Sequence, residues 1–245
     1  MFGSRGRPTF DVRSDGSTET LVAGFAEYGL AGLTAVDYLV RELDLEQTGH
    51  ISVDELPAVT PFSDGTPRRH TRLYTRPDLD VSLLVGELVI PLPAAEAFGA
   101  AILEHTHGSD VEEVVVLSGV PVAHGPEDHR AFYVASEDYQ RARLADVDVT
   151  PMSGGILGGV NGELMQQALD SPLQTCILTT PVHAQVPDVD AALLLIEALD
   201  EIYDLGVDVG PLEEFAEAVA GQYEELAAHL EAQAEEAAAE DRMYM

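Results

Sequence analysis

Short apolar stretches alternate along the chain with segments of helical character. Five stretches of strand length are predicted as strands: 20–26, 82–90, 111–117, 131–135 and 173–180. The run 111–117 is nearly continuous and rich in valine, as expected of a strand covered on both faces. Four segments carry helical patterns: 33–43, 93–104, 159–169 and 188–205, the last with Asp188 as its N-cap and Gly206 as its stop. This alternation is typical of the α/β class and predicts a mostly parallel sheet with helices on its faces.

The pattern changes at Pro211. From there apolar residues recur every three or four positions, which predicts a long amphipathic helix. Past Glu231 the large apolar residues of this pattern give way to alanine and glutamate. We therefore divide the chain into a globular α/β domain over residues 1–210 and a C-terminal helix with a projecting tail over residues 211–245.

The charged residues of the chain exclude or disfavour several classes of function. The 245 residues include 44 acidic and 12 basic residues, for a net charge of −32, and all the basic residues are arginine. Without lysine the chain has no Walker A loop, no Schiff-base chemistry and no kinase-type lysine. The negative charge disfavours nucleic acid and anionic membranes as partners, because binding to phosphate groups needs clustered positive charge.

The acidic residues are spread along the whole chain, as expected of a protein from a very saline cytoplasm, where salt screens self-repulsion. A locally acidic binding surface is the alternative, and the even spread disfavours it. The N-terminus leads into no apolar stretch of signal-peptide type, and no run reaches the roughly 18 apolar residues of a membrane span. With the single Cys176 unable to form an internal disulfide, these features predict a cytoplasmic location.

A cluster of glycines precedes and enters one predicted helix: Gly154, Gly155, Gly158, Gly159 and Gly162. Backbone amides at a helix N-terminus can bind an anion or a nucleotide, so the first four glycines are a candidate ligand pocket. The spacing does not match GxGxxG, however, and no basic residue lies within ten positions. Close packing of the loop on the sheet is the favoured interpretation.

No catalytic or metal site can be assigned, and no cofactor is predicted. Four histidines are near one another in sequence, namely His105, His107, His124 and His129, but no metal-ligand motif accompanies them. Cys176 lies within an apolar run and is expected in the core. Ser118 follows a buried strand but lacks the GxSxG frame of a nucleophile elbow.

Four of the twelve arginines cluster in the segment 60–76, which is expected to be a loop running into an edge strand: Arg68, Arg69, Arg72 and Arg76. They could bind carboxylates of a partner or a sister subunit. Equally, they could neutralise nearby acids on a solvated loop, and the sequence leaves both interpretations open.

The chain ends in Met243-Tyr244-Met245, after ten acidic residues between Glu213 and Asp241. An aromatic side chain with an apolar neighbour and a terminal carboxylate forms a compact ligand, and capture of a C-terminal carboxylate is a recurring mode of recognition. From the residues alone, this triplet is either a docking motif or an accident of sequence.

Several motifs, in this order, resemble those of the proteasome assembly chaperone 2 family in its archaeal form. They are Gly29-Leu30-Ala31-Gly32-Leu33-Thr34-Ala35 followed by Tyr38-Leu39, Gly49-His50-Ile51, Gly86-Glu87, Leu117-Ser118-Gly119, the stretch 154–164, and Pro187-Asp188 followed by Ala191-Ala192 and Leu194-Leu195. The likeness covers residues 20–205.

The resemblance implies a three-layer α/β/α sandwich similar to nucleoside phosphorylases, assembly into homo-oligomers and no known catalysis. Archaeal chaperones of the family carry a C-terminal hydrophobic-tyrosine-any motif that docks between α subunits of the proteasome core particle, and Met243-Tyr244-Met245 matches it. The predicted function is therefore a proteasome assembly chaperone-like binding protein. The alternatives are a small-molecule-binding protein or enzyme that uses the glycine loop, and a proteasome activator or adaptor that uses the same tail.

Overall fold

The computed structural model describes residues 7–16, 18–122, 125, 129–183, 187–214 and 216. Contacts divide the chain into two units, Met1–Val207 and Asp208–Met245. In the second unit, residues 210–214 are helical. Most of the predicted C-terminal helix, and the whole predicted tail, lie outside the described residues.

The first unit contains eleven strands, five helices and a 3₁₀ turn at Tyr28–Leu30 within its described residues. The strands are β1 (Thr9–Ser14), β2 (Thr20–Phe25), β3 (Glu46–Asp54), β4 (Phe62–Ser63), β5 (Thr66–Pro67), β6 (Thr71–Thr75), β7 (Val81–Gly86), β8 (Glu113–Val120), β9 (Phe132–Ala135), β10 (Thr150–Pro151) and β11 (Gln174–Pro181). The helices are α1 (Ala31–Glu42), α2 (Leu92–His107), α3 (Glu137–Arg143), α4 (Gly159–Ala168) and α5 (Val189–Tyr203). No helix in the described part of the chain is both long and apolar enough to cross a bilayer.

Nine strands form one sheet in the order β1-β3-β6-β7-β2-β8-β11-β9-β10, and β4 and β5 form a separate hairpin. The central strands β7, β2, β8 and β11 are parallel. Beside them, β1, β3 and β6 are joined by antiparallel pairing, and β9 pairs antiparallel with β11. The expectation of a mostly parallel sheet is correct for the four central strands and for the β9–β10 pair, but it is wrong for β1, β3 and β6 and for the pairing of β9 with β11. Strand β6 is an interior strand where the sequence predicted an edge.

Helices cover both faces of the sheet, which confirms the predicted α/β class. Leu21, Ala23 and Phe25 of β2 share a core cluster with Phe98 of α2 and with α4. Gly24, between Ala23 and Phe25, faces the opposite side, because alternate residues of a strand point to opposite faces. On that side α1 packs on β2 and β8, and α5 packs on α1 and β11.

Helix α1 lies unusually close to the backbone of the sheet. A Cβ atom built on Gly32 would come within 2.6 Å of the carbonyl carbon of Leu117 and closer still to the oxygen. A Cβ atom on Gly24 would come within 2.6 Å of a methyl carbon of Val36. Glycine is required at both positions because no side chain fits between helix and sheet, and this close approach buries Ala35 and Leu39 of α1 completely.

Residues at the amino ends of the parallel strands form a buried polar network. The carboxylate of Glu113, at the start of β8, accepts hydrogen bonds from Arg143 Nε at 2.9 and 3.1 Å and from the Tyr203 hydroxyl at 2.8 Å. Tyr139 hydrogen-bonds the same Tyr203 hydroxyl at 3.1 Å, and burial strongly raises the pKa of both phenols. The network ties α3 and α5 to the sheet.

Helix α5 begins as the sequence predicts and ends differently. The side chain of Asp188 accepts a hydrogen bond from the amide of Ala191, so Asp188 is the N-cap. At the other end Asp204, not glycine, takes the left-handed conformation, with φ of 51°. Gly206 follows with φ of 68°, and its amide donates to Asp200 Oδ1 at 2.8 Å. The carboxylate of Asp200 therefore stabilises the turn after α5, and Gly206, the predicted helix stop, lies within this turn and not directly at the end of the helix.

Candidate functional site

The residues that the sequence favours most as a site, Met243, Tyr244 and Met245, lie outside the described residues. Their role stays a prediction. The described residues do include the glycine segment, the arginine cluster and most of the other candidate side chains.

The glycine segment is open and unpacked over most of its length. A Cβ atom added at Gly154, Gly155 or Gly158 would meet no atom within 4 Å. Close packing holds only at Gly162, where a Cβ atom would come within 2.9 Å of the Leu157 carbonyl oxygen. The favoured packing interpretation is therefore wrong at those three open glycines. Gly159 has a positive φ of 59°, which explains glycine at the start of α4.

An exposed apolar surface adjoins these glycines. Ile156, between the glycine pairs, is 99% exposed, while Leu92 at the start of α2 is 76% exposed and Val89 is 67% exposed. Leu92 lies 3.8 Å from the Cβ position of Gly159, so the loop and the start of α2 are neighbours. We call Val89, Leu92 and Ile156 the apolar rim. Clustered exposed apolar side chains are typical of protein–protein contact surfaces.

Ser118 belongs to a small polar cluster at the carboxyl ends of the parallel strands. Its hydroxyl donates to Glu27 Oε2 at 2.8 Å and accepts from Asn161 Nδ2 at 3.0 Å. Asn161 also donates to the same Glu27 oxygen at 3.1 Å. Among the described residues these are the hydrogen-bond partners of Ser118, and no imidazole is among them. The cluster joins the end of β2 and the interior of β8 to α4.

The described residues hold no group of three or more histidine, cysteine or acidic side chains in a metal-binding arrangement. His124 lies outside the described residues. Burial lowers the pKa of His105 on α2. Cys176 is completely buried in β11, which confirms it as a core residue, and burial raises the pKa of its thiol. A thiol in that state is a poor nucleophile.

The arginine cluster is largely neutralised within the chain. Arg72 is 1% exposed, and its Nη1 lies 2.9 Å from Glu87 Oε2. Arg68 Nη2 reaches the other oxygen of Glu87 at 2.7 Å. Arg76 pairs with Asp78 at 2.7 Å and donates to the Leu43 carbonyl at 2.6 Å. Of the two interpretations of the cluster, neutralisation of nearby acids is correct for Arg68, Arg72 and Arg76. Arg72, however, lies in the core and not on a solvated loop.

The motif that begins at Gly29 and the motif Pro187-Asp188 contact each other through a hydrogen bond. The Asp188 amide donates to the Gly29 carbonyl at 2.8 Å, and the Asp188 carboxylate accepts from the His183 amide at 2.8 Å and from His183 Nδ1 at 2.9 Å. Burial acts to raise the pKa of Asp188, but the hydrogen bonds from His183 and Ala191 outweigh it and lower that pKa overall. Asp188 thereby anchors the turn before α1 to the end of β11.

A family model matches residues 21–227, most of the chain, and it describes the PAC2 family. The chain belongs to the PAC2 family. An uncharacterized protein of Methanocaldococcus jannaschii is 23% identical to this PAC2 family member over 207 residues, which are 84% of each chain.

Solved structures show the same fold. PbaA of Pyrococcus furiosus, described as an archaeal homolog of proteasome-assembly chaperone, matches with a TM-score of 0.82 at 21% identity, over 97% of this chain and 100% of its own. PbaB of the same organism, described as an archaeal proteasome activator, matches with a TM-score of 0.74 at 18% identity, over 90% of this chain and 99% of its own. At these identities the likeness establishes the fold of this PAC2 family member.

Sequence reasoning missed the apolar rim and the partners of Ser118. Ile156 carried a signal, since it lies with Leu157 between two glycine pairs and outside every predicted helix and strand. Val89 and Leu92 carried none, because apolar residues beside a strand and a helix are ordinarily buried.

Proposed function

We propose that this PAC2 family member is a proteasome assembly chaperone-like binding protein whose C-terminal Met243-Tyr244-Met245 docks on the α ring of the proteasome core particle. The observation that carries the proposal is this C-terminal hydrophobic-tyrosine-any sequence on a chain of the PAC2 family. The names of the Pyrococcus furiosus neighbours, a chaperone homolog and a proteasome activator, support the same class of partner. The protein acts by binding, in the cytoplasm, and no side chain is assigned a catalytic step.

The chemistry of the tail suits a pocket between two subunits. Tyr244 combines a large apolar ring with a hydroxyl that can find a hydrogen-bond partner. Met243 adds apolar area, and the carboxylate of Met245 adds a negative charge for a basic group. In the proposal, residues 211–245 form a long amphipathic helix and the docking tail that ends in this triplet, and residues 1–210 form a three-layer, nucleoside-phosphorylase-like body.

The apolar rim supports assembly into a homo-oligomer as the second element of the proposal. Val89, Leu92 and Ile156 expose large apolar side chains that contact with a second copy would cover. Several linked tails would then engage one ring at once. Linked copies gain about 10²- to 10⁴-fold in avidity over a single weak anchor, which makes a three-residue motif effective.

A second candidate keeps the tail and changes the task to activation of the assembled proteasome. The structural match to PbaB, described as a proteasome activator, favours this candidate. The two tasks differ in the partner that is bound. A chaperone binds free α subunits and their intermediates, whereas an activator binds the completed particle and raises its peptidase rate.

The test is co-migration with purified proteasome α subunits on a sizing column in molar KCl. We expect Tyr244→Ala to weaken binding tenfold or more, because buried aromatic anchors dominate such interfaces. Deletion of residues 243–245 should do the same without changing the fold or the size of the oligomer. Tyr28→Ala is the matched control, since Tyr28 is an exposed tyrosine of the body. Equal binding by the wild type and both tail variants would overturn docking through the tail.

A further inference from the structure

A cleft of about 500 Å³ lies beside the β4–β5 hairpin and is lined in part by the arginine cluster. Its lining includes Gln47, Val59, Thr60, Arg68, Arg69 and His70. This volume is within the range of about 300–1,000 Å³ that is typical of small-molecule sites. Its basic lining is exceptional on a chain with 44 acidic and 12 basic residues.

Arg69 differs from most of the described arginines in forming no ion pair with a described residue. Eight of the arginines in the described ranges are ion-paired: Arg7, Arg13, Arg41, Arg68, Arg72, Arg76, Arg141 and Arg143. Arg130 lies over the ring of Phe132 at 5.0 Å. Arg69 is exposed at the cleft and forms no ion pair with any described residue. In so acidic a protein, an exposed arginine that is ion-paired with none of the described carboxylates is available for an external anion.

The neighbouring groups keep the cleft positive. Both carboxylate oxygens of Glu87 are already engaged, one by Arg68 Nη2 at 2.7 Å and the other by Arg72 Nη1 at 2.9 Å. The contact with Glu87 fixes the guanidinium of Arg68, whose buried Nε has no hydrogen-bond partner in the described structure. The cleft therefore offers one oriented arginine and one unpaired arginine side by side.

We propose that this cleft binds a small molecule through its oxyanion group, a phosphate or a carboxylate, which is held between Arg68 and Arg69. The planar guanidinium fork matches both kinds of oxyanion, often through two parallel hydrogen bonds. The Gln47 amide and the Thr60 hydroxyl supply polar contacts to the rest of the ligand, and Val59 supplies an apolar wall. This site is independent of the C-terminal tail and of the proteasome.

The experiment is isothermal titration of the full-length protein, in KCl of constant molar concentration, with inorganic phosphate and separately with succinate. We expect saturable binding of at least one anion, weakened tenfold or more by Arg69→Ala and less by Arg69→Lys, which keeps the charge but loses the fork. Arg141→Ala is the control, because Arg141 is an exposed arginine on α3, paired with Asp138. Thermal denaturation of each variant verifies that the fold is intact.

The results with the two anions distinguish a phosphorylated ligand from a carboxylate ligand. Binding of phosphate alone assigns the cleft to phosphorylated ligands, and binding of succinate alone assigns it to carboxylates. Absence of saturable binding of either anion to the wild type, or equal affinity of the wild type and Arg69→Ala, would overturn the proposal. Binding only of a glutamate-rich peptide would also overturn it, since that result assigns the surface to a protein partner.

Discussion

Replacement of Gly32 by alanine would force helix α1 away from the sheet. The new Cβ atom would lie within 2.6 Å of the Leu117 carbonyl carbon, whereas Cβ atoms in proteins essentially never approach a non-bonded atom closer than 3.0 Å. The obstacle is backbone of the central strand β8, which cannot rotate away. Helix α1 must therefore move outward, and this displacement opens gaps beneath Ala35, Val36 and Leu39, which are completely buried.

The expected cost is about 3 kcal/mol or more in the free energy of unfolding, because overpacking and the resulting gaps both destabilise a core. This cost exceeds the gain of about 1 kcal/mol that alanine offers over glycine in a helix. For a domain of this size, each kcal/mol corresponds to about 2–4 °C in Tm, so we expect a fall of about 6 °C or more. The assay is thermal and urea denaturation in molar KCl.

Gly154→Ala is the matched control for this prediction. A Cβ atom at Gly154 would meet no atom within 4 Å, and its backbone does not take the left-handed conformation. We expect an unchanged Tm or a rise, because alanine reduces the conformational entropy of the unfolded chain. Equal Tm values for Gly32→Ala and Gly154→Ala would refute the close approach of α1 to the sheet.

Two further predictions concern pH and salt. Because the pKa of Asp188 is lowered in the fold, its contribution to stability is present above the ordinary aspartate pKa of about 3.9 and is lost as the pH falls below it. Asp188→Asn places an amide against the His183 amide. The substitution should lower the free energy of unfolding, measured by urea denaturation, by about 1–2 kcal/mol at pH 7 and by less at pH 3. An equal loss at both pH values would contradict the role of the carboxylate. The net charge of −32 predicts a Tm several degrees lower in 0.1 M than in 3 M KCl, since low salt leaves the repulsion among carboxylates unscreened, and equal values would contradict that reasoning.

Most of the strands predicted from the sequence are buried on both faces, and the half-buried β9 is the exception. β2, β8 and β11 are buried along almost their whole length and were predicted within a few residues of their observed bounds. β1 and β3 were missed because they are amphipathic and rich in polar residues, with Ile51 as a rare fully buried position of β3. The predicted strand 82–90 ends early at Gly86, because the next residue, Glu87, turns to bind Arg68 and Arg72.

The sequence pattern does not predict which charged residues are buried. Arg72 and Glu113 look like surface residues, yet each is buried against partners distant in sequence. Two residues of the apolar rim are hidden for the converse reason, since Val89 and Leu92 look like core residues and are exposed. The tail is different, because its prediction as a ligand comes from the match of Met243-Tyr244-Met245 to a motif of the family, and only its partner can test that prediction.

Native mass spectrometry of the full-length protein mixed with α subunits of the proteasome from the same cell tests the central claim most directly. The solution should contain molar ammonium acetate, so that the repulsion among the acidic residues stays screened. We predict a stable species that contains several copies of this protein together with α subunits, and its loss when Tyr244 is replaced by alanine. Spectra in which the wild-type protein and the α subunits remain separate would contradict the proposed function.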